Sequence, residues 1–250
     1  MKAMILAAGL GTRLRPLTDN RPKALVEIGG RTLLEITLAR LRAFGIREVI
    51  INLHYFADMI VDYLKTHNNF GIRIEISRED VLLDTGGGLK KVAYFFLEDS
   101  SRLDEPFILH NVDVISNIDL QRMLQYHVDH RALATLAVQD RVTSRYLLFD
   151  ENLQLCGRRS AHDQKTEFAR SSRQMFALAF SGLHLLSPRI FSLMSEDGAF
   201  SIITPYLRLA MQGEKILAFR AEEYYWRDLG RPEHLNQLEQ DLRNHVFDCL

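Results

Sequence analysis

Thiols are almost missing from this chain of 250 residues: it has two cysteines, Cys156 and Cys249, 93 positions apart and in no Cys-x-x-Cys pair. That spacing argues against a thiolate metal site and against a disulfide framework, and it suits a reducing compartment, so the cytoplasm is the expected location. An excess of charge of one sign is missing too. With 31 basic and 32 acidic residues and a formal net charge of −1, the chain has no global field to hold a nucleic acid or an anionic membrane. Its partners are expected to be small molecules. No apolar run approaches the ~18 residues of a membrane-spanning helix. The stretch from Lys2 to Ala8 is too short for a secretory signal and runs straight into glycines and arginines, so it reads as a buried first strand. Low-complexity linkers and internal repeats are absent as well.

Several catalytic signatures are also lacking. A phosphate loop of the Walker type needs Gly-Lys-Ser/Thr, which occurs nowhere, and a dinucleotide fingerprint needs a third glycine where Leu14 stands. The nine histidines form no His-x-x-x-His or His-Glu-x-x-His pattern, and they read as surface or core residues. Of these, His110 is the one beside a candidate site. Nothing resembles Gly-x-Ser-x-Gly, which leaves covalent serine hydrolysis unsupported.

What the chain does have is concentrated near its start. The strand Met4-Ile5-Leu6-Ala7-Ala8 breaks into Gly9-Leu10-Gly11-Thr12-Arg13-Leu14-Arg15-Pro16-Leu17-Thr18, and Pro22-Lys23-Ala24-Leu25 follows. Two glycines let the backbone turn sharply and bring its N–H groups close to a polyanion. Arg13 and Lys23 would add fixed positive charge for phosphoryl oxygens. The bland alternative is a glycine turn with surface arginines.

With 47% hydrophobic residues, the chain is long enough to bury a substantial core as one α/β domain. Its first half alternates apolar strands and helical spacing, the pattern of a mainly parallel sheet with helices on both faces. Strands are expected at Val49 to Ile51, Ile72 to Ile76 and Phe107 to Leu109, with helices at Thr32 to Phe44, Ala57 to Leu64 and Gly88 to Leu97. The last of these helices is expected to open on the run Gly86-Gly87-Gly88, as an anion-binding N-terminus or a flat seat for a base. Asn111-Val112-Asp113 falls at the C-terminal end of a strand, where ligands of open parallel sheets collect. The second half mixes helices and strands, and Gly157 to Arg173 reads as an exposed loop. Asp113 and Asp228 each close a short apolar segment and precede a turn. Two carboxylates with phosphate oxygens can hold Mg²⁺, whereas each alone can simply cap its turn.

The glycine loop with Pro22-Lys23 resembles the signature of the sugar-1-phosphate nucleotidylyltransferases. Asp84-Thr85-Gly86-Gly87-Gly88, Phe180-Ser181-Gly182 and Trp226-Arg227-Asp228-Leu229-Gly230 are most similar to the branch that uridylylates N-acetylmuramic acid 1-phosphate. That resemblance implies a Rossmann-like, GT-A-like nucleotidyltransferase domain over 1–250, with a nucleotide-binding half to about 115 and a sugar-phosphate-binding half beyond. It implies that Arg13 grips the leaving pyrophosphate and Lys23 the α-phosphate. Ala8, Gly9, Gly11, Thr12, Gly86 and Gly87 would complete the nucleotide site, with Asn111, Gly182 and Arg158 on the sugar phosphate and Mg²⁺ on Asp113 and Asp228. UTP is the favoured donor and GTP the next. Two departures stand out: Cys156-Gly157-Arg158-Arg159 replaces the family's Glu-Lys-Pro, and Asn111-Val112-Asp113 replaces Asn-Gly-Asp. A non-catalytic nucleotide-binding regulatory module and a nicotinamide-dependent oxidoreductase are the rival readings.

Overall fold

The computed structural model describes residues 1–99, 101, 104–244 and 246, so Cys249 lies outside the described residues. In chain order the elements are β1 (Lys2–Leu6), β2 (Glu27–Ile28), β3 (Arg31–Thr32), α1 (Leu33–Ala43), β4 (Glu48–Leu53), α2 (Ala57–Thr66) and β5 (Arg73–Arg78). Then come α3 (Asp84–Lys91), α4 (Ala93–Leu97), β6 (Phe107–Asn111), β7 (Val114–Ser116), α5 (Leu120–Asp129), β8 (Ala134–Gln139) and β9 (Arg145–Phe149). The chain continues through β10 (Leu155–Ser160), β11 (Thr166–Phe168), β12 (Phe176–Leu186), α6 (Ile190–Leu193), α7 (Ile203–Met211), β13 (Ile216–Arg220), β14 (Trp226–Asp228) and α8 (Pro232–Arg243). This is an α/β fold with a mixed sheet.

The chain divides into two compact units that do not follow sequence order. The first unit takes Met1–Leu82, His110–Asn117 and the chain from Tyr225 on. Its strands β1, β4 and β5 are parallel, with Met4 opposite Ile50 and Ile50 opposite Glu75. The near-continuous apolar runs of β1 and β4 are what a strand covered on both faces requires. Helix α1 starts where Thr32 accepts the Glu35 N–H at 3.1 Å, a side-chain cap for an otherwise orphaned donor. It buries Leu33, Leu34, Ile36, Leu38 and Leu41. Leu14 and Leu229 join Leu33 and Leu238 in one apolar cluster, which anchors the glycine loop and the segment after β14 to the same core.

The second unit takes Leu83–Leu109 and Ile118–Tyr224. Its strands run β11-β10-β9-β12-β8-β13, antiparallel except for the parallel pair β8 and β13. Phe96, Phe107 and Phe191 stack in its core, with centroids 3.9 Å apart for the first pair and 5.5 Å for the second.

Two expectations are corrected. Residues 157–168 are not an open loop: β10 and β11 make a hairpin there, with Arg158 opposite Glu167 and Arg159 opposite Thr166, and only 169–173 stay outside helix and strand. Polar residues fill both faces of that hairpin, so no period-two apolar signal exists to announce it, and its cross-strand pairing is polar. The glycine run does not open a helix either. Helix α3 begins at Asp84 and contains Gly86, Gly87 and Gly88, and a separate helix, α4, follows it. Glycine's poor helix propensity is overridden there by tertiary packing that leaves no space for side chains.

Candidate active site

Past β1, Ala7 and Ala8 are still buried, and the chain then emerges at Gly9. Gly11 sits in the left-handed region at φ 66, which a side chain would strain. A Cβ there would also come within 3.1 Å of Thr18 Cγ2 and 3.3 Å of Lys23 Cβ. The Gly11 carbonyl accepts from Thr18 Oγ1 and from the Leu14 N–H, both at 2.9 Å. The loop is therefore folded back on itself around Gly11, with Lys23 packed against its inner side. Lys23 opens a short turn after the extended Pro22 and is buried.

Asp113 and Asp228 are brought to neighbouring positions. Strands β7 and β14 pair antiparallel with Asp228 opposite Val114, and the Leu229 N–H donates to the Asp113 carbonyl at 2.8 Å. Asp113 is tied back to β1 through Val112, whose N–H donates to the Leu6 carbonyl at 3.1 Å. Each carboxylate has a cation from the glycine-loop region beside it. Lys23 Nζ is ion-paired with Asp113 Oδ2. On the other side, a Cβ added to Gly230 would lie 2.8 Å from both Arg13 Nη2 and Asp228 Oδ1, so guanidinium and carboxylate flank one point above that glycine. Asp228 Oδ1 also accepts the Gly230 N–H at 2.7 Å. A turn-capping role for Asp228 is thus present alongside any other.

Behind Asp113 lies His110, fully buried on β6, whose Nδ1–H donates to the Asn111 carbonyl at 2.8 Å. Burial, reinforced by the nearby Arg40 charge, lowers its pKa to about 3. A ring held neutral this firmly is no general acid or base near pH 7.

Of the remaining candidates, Asn111 ends β6 in the first unit, and the others belong to the second unit. The Gly86 and Gly87 N–H groups both point at the Phe200 carbonyl, at 2.8 and 3.3 Å. A Cβ on Gly86 would strike the Phe200 ring at 2.4 Å, and one on Gly87 would strike the Gly198 carbonyl at 2.3 Å. Close approach by Gly198 and Phe200, two residues with no sequence signal, therefore dictates glycine at these positions. Gly87→Ala is expected to destabilise the protein by ~1–3 kcal/mol, because the obstruction is backbone that cannot swing aside. Thermal melting would show it, and an unchanged melting temperature would mean that the α3 contact is loose. Gly182 has φ 73 within β12, where the register with β8 shifts between Phe180 and His184. Arg158 is exposed and pairs with Glu167 at 2.7 Å, while the Arg159 guanidinium lies 5.5 Å from the Tyr146 ring centroid. Both border a cavity of about 720 Å³ on the β9–β10–β11 hairpin.

A glycine-turned loop carries Arg13 and Lys23 up to Asp228 and Asp113, and the chain around it is similar to known proteins. The family model described as nucleotidyl transferase matches residues 2–154. The chain belongs to that family. It is 33% identical over 247 residues to N-acetylmuramate alpha-1-phosphate uridylyltransferase of Caulobacter vibrioides, covering 92% of each chain. It is 30% identical over 241 residues to mannose-1-phosphate guanyltransferase of Candida albicans, covering 93% of this chain but 62% of that one. Among solved structures, HddC of Yersinia pseudotuberculosis complexed with GMP-PN superimposes with a TM-score of 0.73 at 26% identity, over 96% of this chain and 99% of that one. UDP-glucose pyrophosphorylase complexed with UDP-glucose has the same fold, with a TM-score of 0.78 at 18% identity over 98% of each chain. This nucleotidyl transferase is accordingly an enzyme of the sugar-1-phosphate nucleotidyltransferase class, and its relatives differ among themselves in base. Among the described residues, no helix is long and apolar enough to cross a membrane.

Proposed function

We propose that the enzyme transfers a uridylyl group from UTP to a sugar 1-phosphate, releasing pyrophosphate. The observation that carries the mechanism is the pairing of β7 with β14, which sets Asp113 and Asp228 side by side with Lys23 on one and Arg13 beside the other. An oxygen of the sugar phosphate attacks the α-phosphorus, a new O–P bond forms, and the bond to the bridging oxygen breaks with its electron pair leaving on pyrophosphate. No general base is needed. A phosphomonoester with a second pKa of ~6 is already mostly dianionic near neutral pH, so alignment and charge neutralisation are the protein's tasks. Lys23 turns from Asp113 to the α-phosphate, Arg13 holds the departing pyrophosphate, and the backbone N–H groups from Ala8 to Thr12 cradle the chain of phosphates.

Two carboxylates with water and phosphate oxygens fit a hard, oxygen-seeking divalent ion such as Mg²⁺. Among the described residues, no group of three or more histidine, cysteine, aspartate or glutamate side chains competes with them for it. Asp113 and Asp228 would hold the ion, which when bound neutralises charge on the α-phosphate.

Asn111, Gly182 and Arg158 bind the sugar phosphate in this proposal. The solvent-exposed pair between Arg158 and Glu167 is worth little on its own, so a phosphate can take Glu167's place on the guanidinium. The preference for UTP rests on the full-length likeness to the uridylyltransferase, against partial coverage of the guanyltransferase. Pyrophosphate release measured with UTP, GTP, dTTP and CTP, crossed with N-acetylmuramic acid 1-phosphate, mannose 1-phosphate and other sugar 1-phosphates, tests both halves. A tenfold higher kcat/KM for GTP would overturn the base assignment. Triphosphate binding with no turnover on any sugar would instead indicate a regulatory binding module.

A further inference from the structure

The ladder between β1 and β4 ends at Leu6 opposite Asn52, and that between β4 and β5 ends at Leu53 opposite Arg78. One residue past the first of these ladders, the Ala7 N–H is held by a side chain instead. The Asn52 Oδ1 accepts the Ala7 N–H at 2.9 Å, and Asn52 Nδ2 donates to Glu79 Oε1 at 2.7 Å. Asn52 and Glu79 are 2% and 4% exposed, so this relay lies beneath the surface. Glu79 is itself pinned by its backbone: its N–H donates to the Leu53 carbonyl at 2.7 Å, and its carbonyl accepts from His54 Nδ1–H at 2.7 Å.

We infer that Asn52 and Glu79 are positioning residues for the nucleotide, acting through the Ala7 N–H to fix where the main chain leaves the sheet and becomes the phosphate loop. The inference rests on the proposed role of that loop. An amide side chain has one accepting and one donating end, and a carboxylate only accepts. Glu79 therefore dictates that Asn52 presents its oxygen to Ala7. Ala8 follows immediately, then Gly9 and Gly11, so a tilt of the peptide at Ala7 is carried into every N–H group offered to the phosphates. Geometry held this tightly matters: misplacement by about 1 Å at a reacting group costs on the order of 10²-fold in rate. Asn52 and Glu79 touch no substrate themselves, because they are buried behind the loop.

The test compares Asn52→Leu, Asn52→Ser, Glu79→Leu and Glu79→Gln with the wild-type enzyme. It reads calorimetric affinity for a non-hydrolysable UTP analogue with Mg²⁺, and KM for each substrate. Asn52→Leu is expected to weaken analogue binding and raise the triphosphate KM by about tenfold or more, through a loop that is no longer pre-formed. KM for the sugar 1-phosphate should stay unchanged. Glu79→Leu should behave likewise, and Glu79→Gln, whose amide oxygen still accepts from Asn52, should restore near wild-type affinity. If Asn52→Leu does not fold, Asn52→Ser is judged by the same criterion. Wild-type analogue affinity in folded Asn52 variants, with only the melting temperature lowered, would overturn the inference and leave the relay a structural tie. Failure of the functional proposal looks different: wild-type protein would then bind the analogue without releasing pyrophosphate on any sugar.

Discussion

Asp113→Asn and Asp228→Asn are each expected to slow pyrophosphate release by ~10³-fold or more, and the double variant to be no slower than the slower single. Residues that serve one function fail together, so their losses do not add. The antiparallel pairing of β7 and β14 sets Asp113 and Asp228 at neighbouring backbone positions, and either carboxylate alone would leave too little negative charge to hold a divalent ion against a triphosphate. Both variants should still fold. Asn at 228 can keep an oxygen for the Gly230 N–H, and the link from Leu229 to Asp113 uses backbone only. Pyrophosphate release titrated with Mg²⁺ in all three variants is the measurement. An active single variant with unchanged Mg²⁺ dependence would return that aspartate to turn capping.

Lys23→Met should produce two effects of opposite sign. Turnover is expected to fall by ~10²-fold or more, because a cation aimed at charge developing in the transition state is worth a few kcal/mol. Divalent-metal binding without nucleotide should at the same time grow stronger. Lys23 Nζ is ion-paired with Asp113 Oδ2, and a metal ion arriving alone must displace it. With a triphosphate present, the lysine has a better anion to turn to, so metal and nucleotide are expected to bind synergistically in the wild type. Mn²⁺ titration followed by electron paramagnetic resonance, with and without a UTP analogue, separates the two effects. Equal metal affinity in wild type and variant would mean that the ion pair does not guard Asp113.

What could be read in the sequence was what local chemistry writes there. The apolar runs of β1 and β4, the spacing of α1 and the two glycines before Arg13 all announced their structures, because each is decided within a few residues. Long-range pairings were not legible. The Lys23–Asp113 ion pair joins residues 90 positions apart, and the three-residue strands β7 and β14 are too short to show a period. Gly86 and Gly87 stand out by composition, but the close approach of Phe200 and Gly198 that requires glycine there comes from more than a hundred positions away and leaves no local mark. One missed feature did carry a signal. Asn52 is a lone amide in the apolar run Val49-Ile50-Ile51-Asn52-Leu53, and a polar side chain buried in a strand must find a partner.

The return of the chain to its first unit at Tyr225 has a consequence in time. During synthesis, Asp113 emerges long before Asp228, and β7 waits unpaired until the residues of β14 have been made. Pairing over so long a loop is slow to form compared with local structure. A nascent chain or proteolytic fragment ending before Trp226 would carry the glycine loop, Lys23 and most of the core, yet possess half of the acidic pair. In the proposed mechanism, the acidic pair is complete only once β14 has docked on β7.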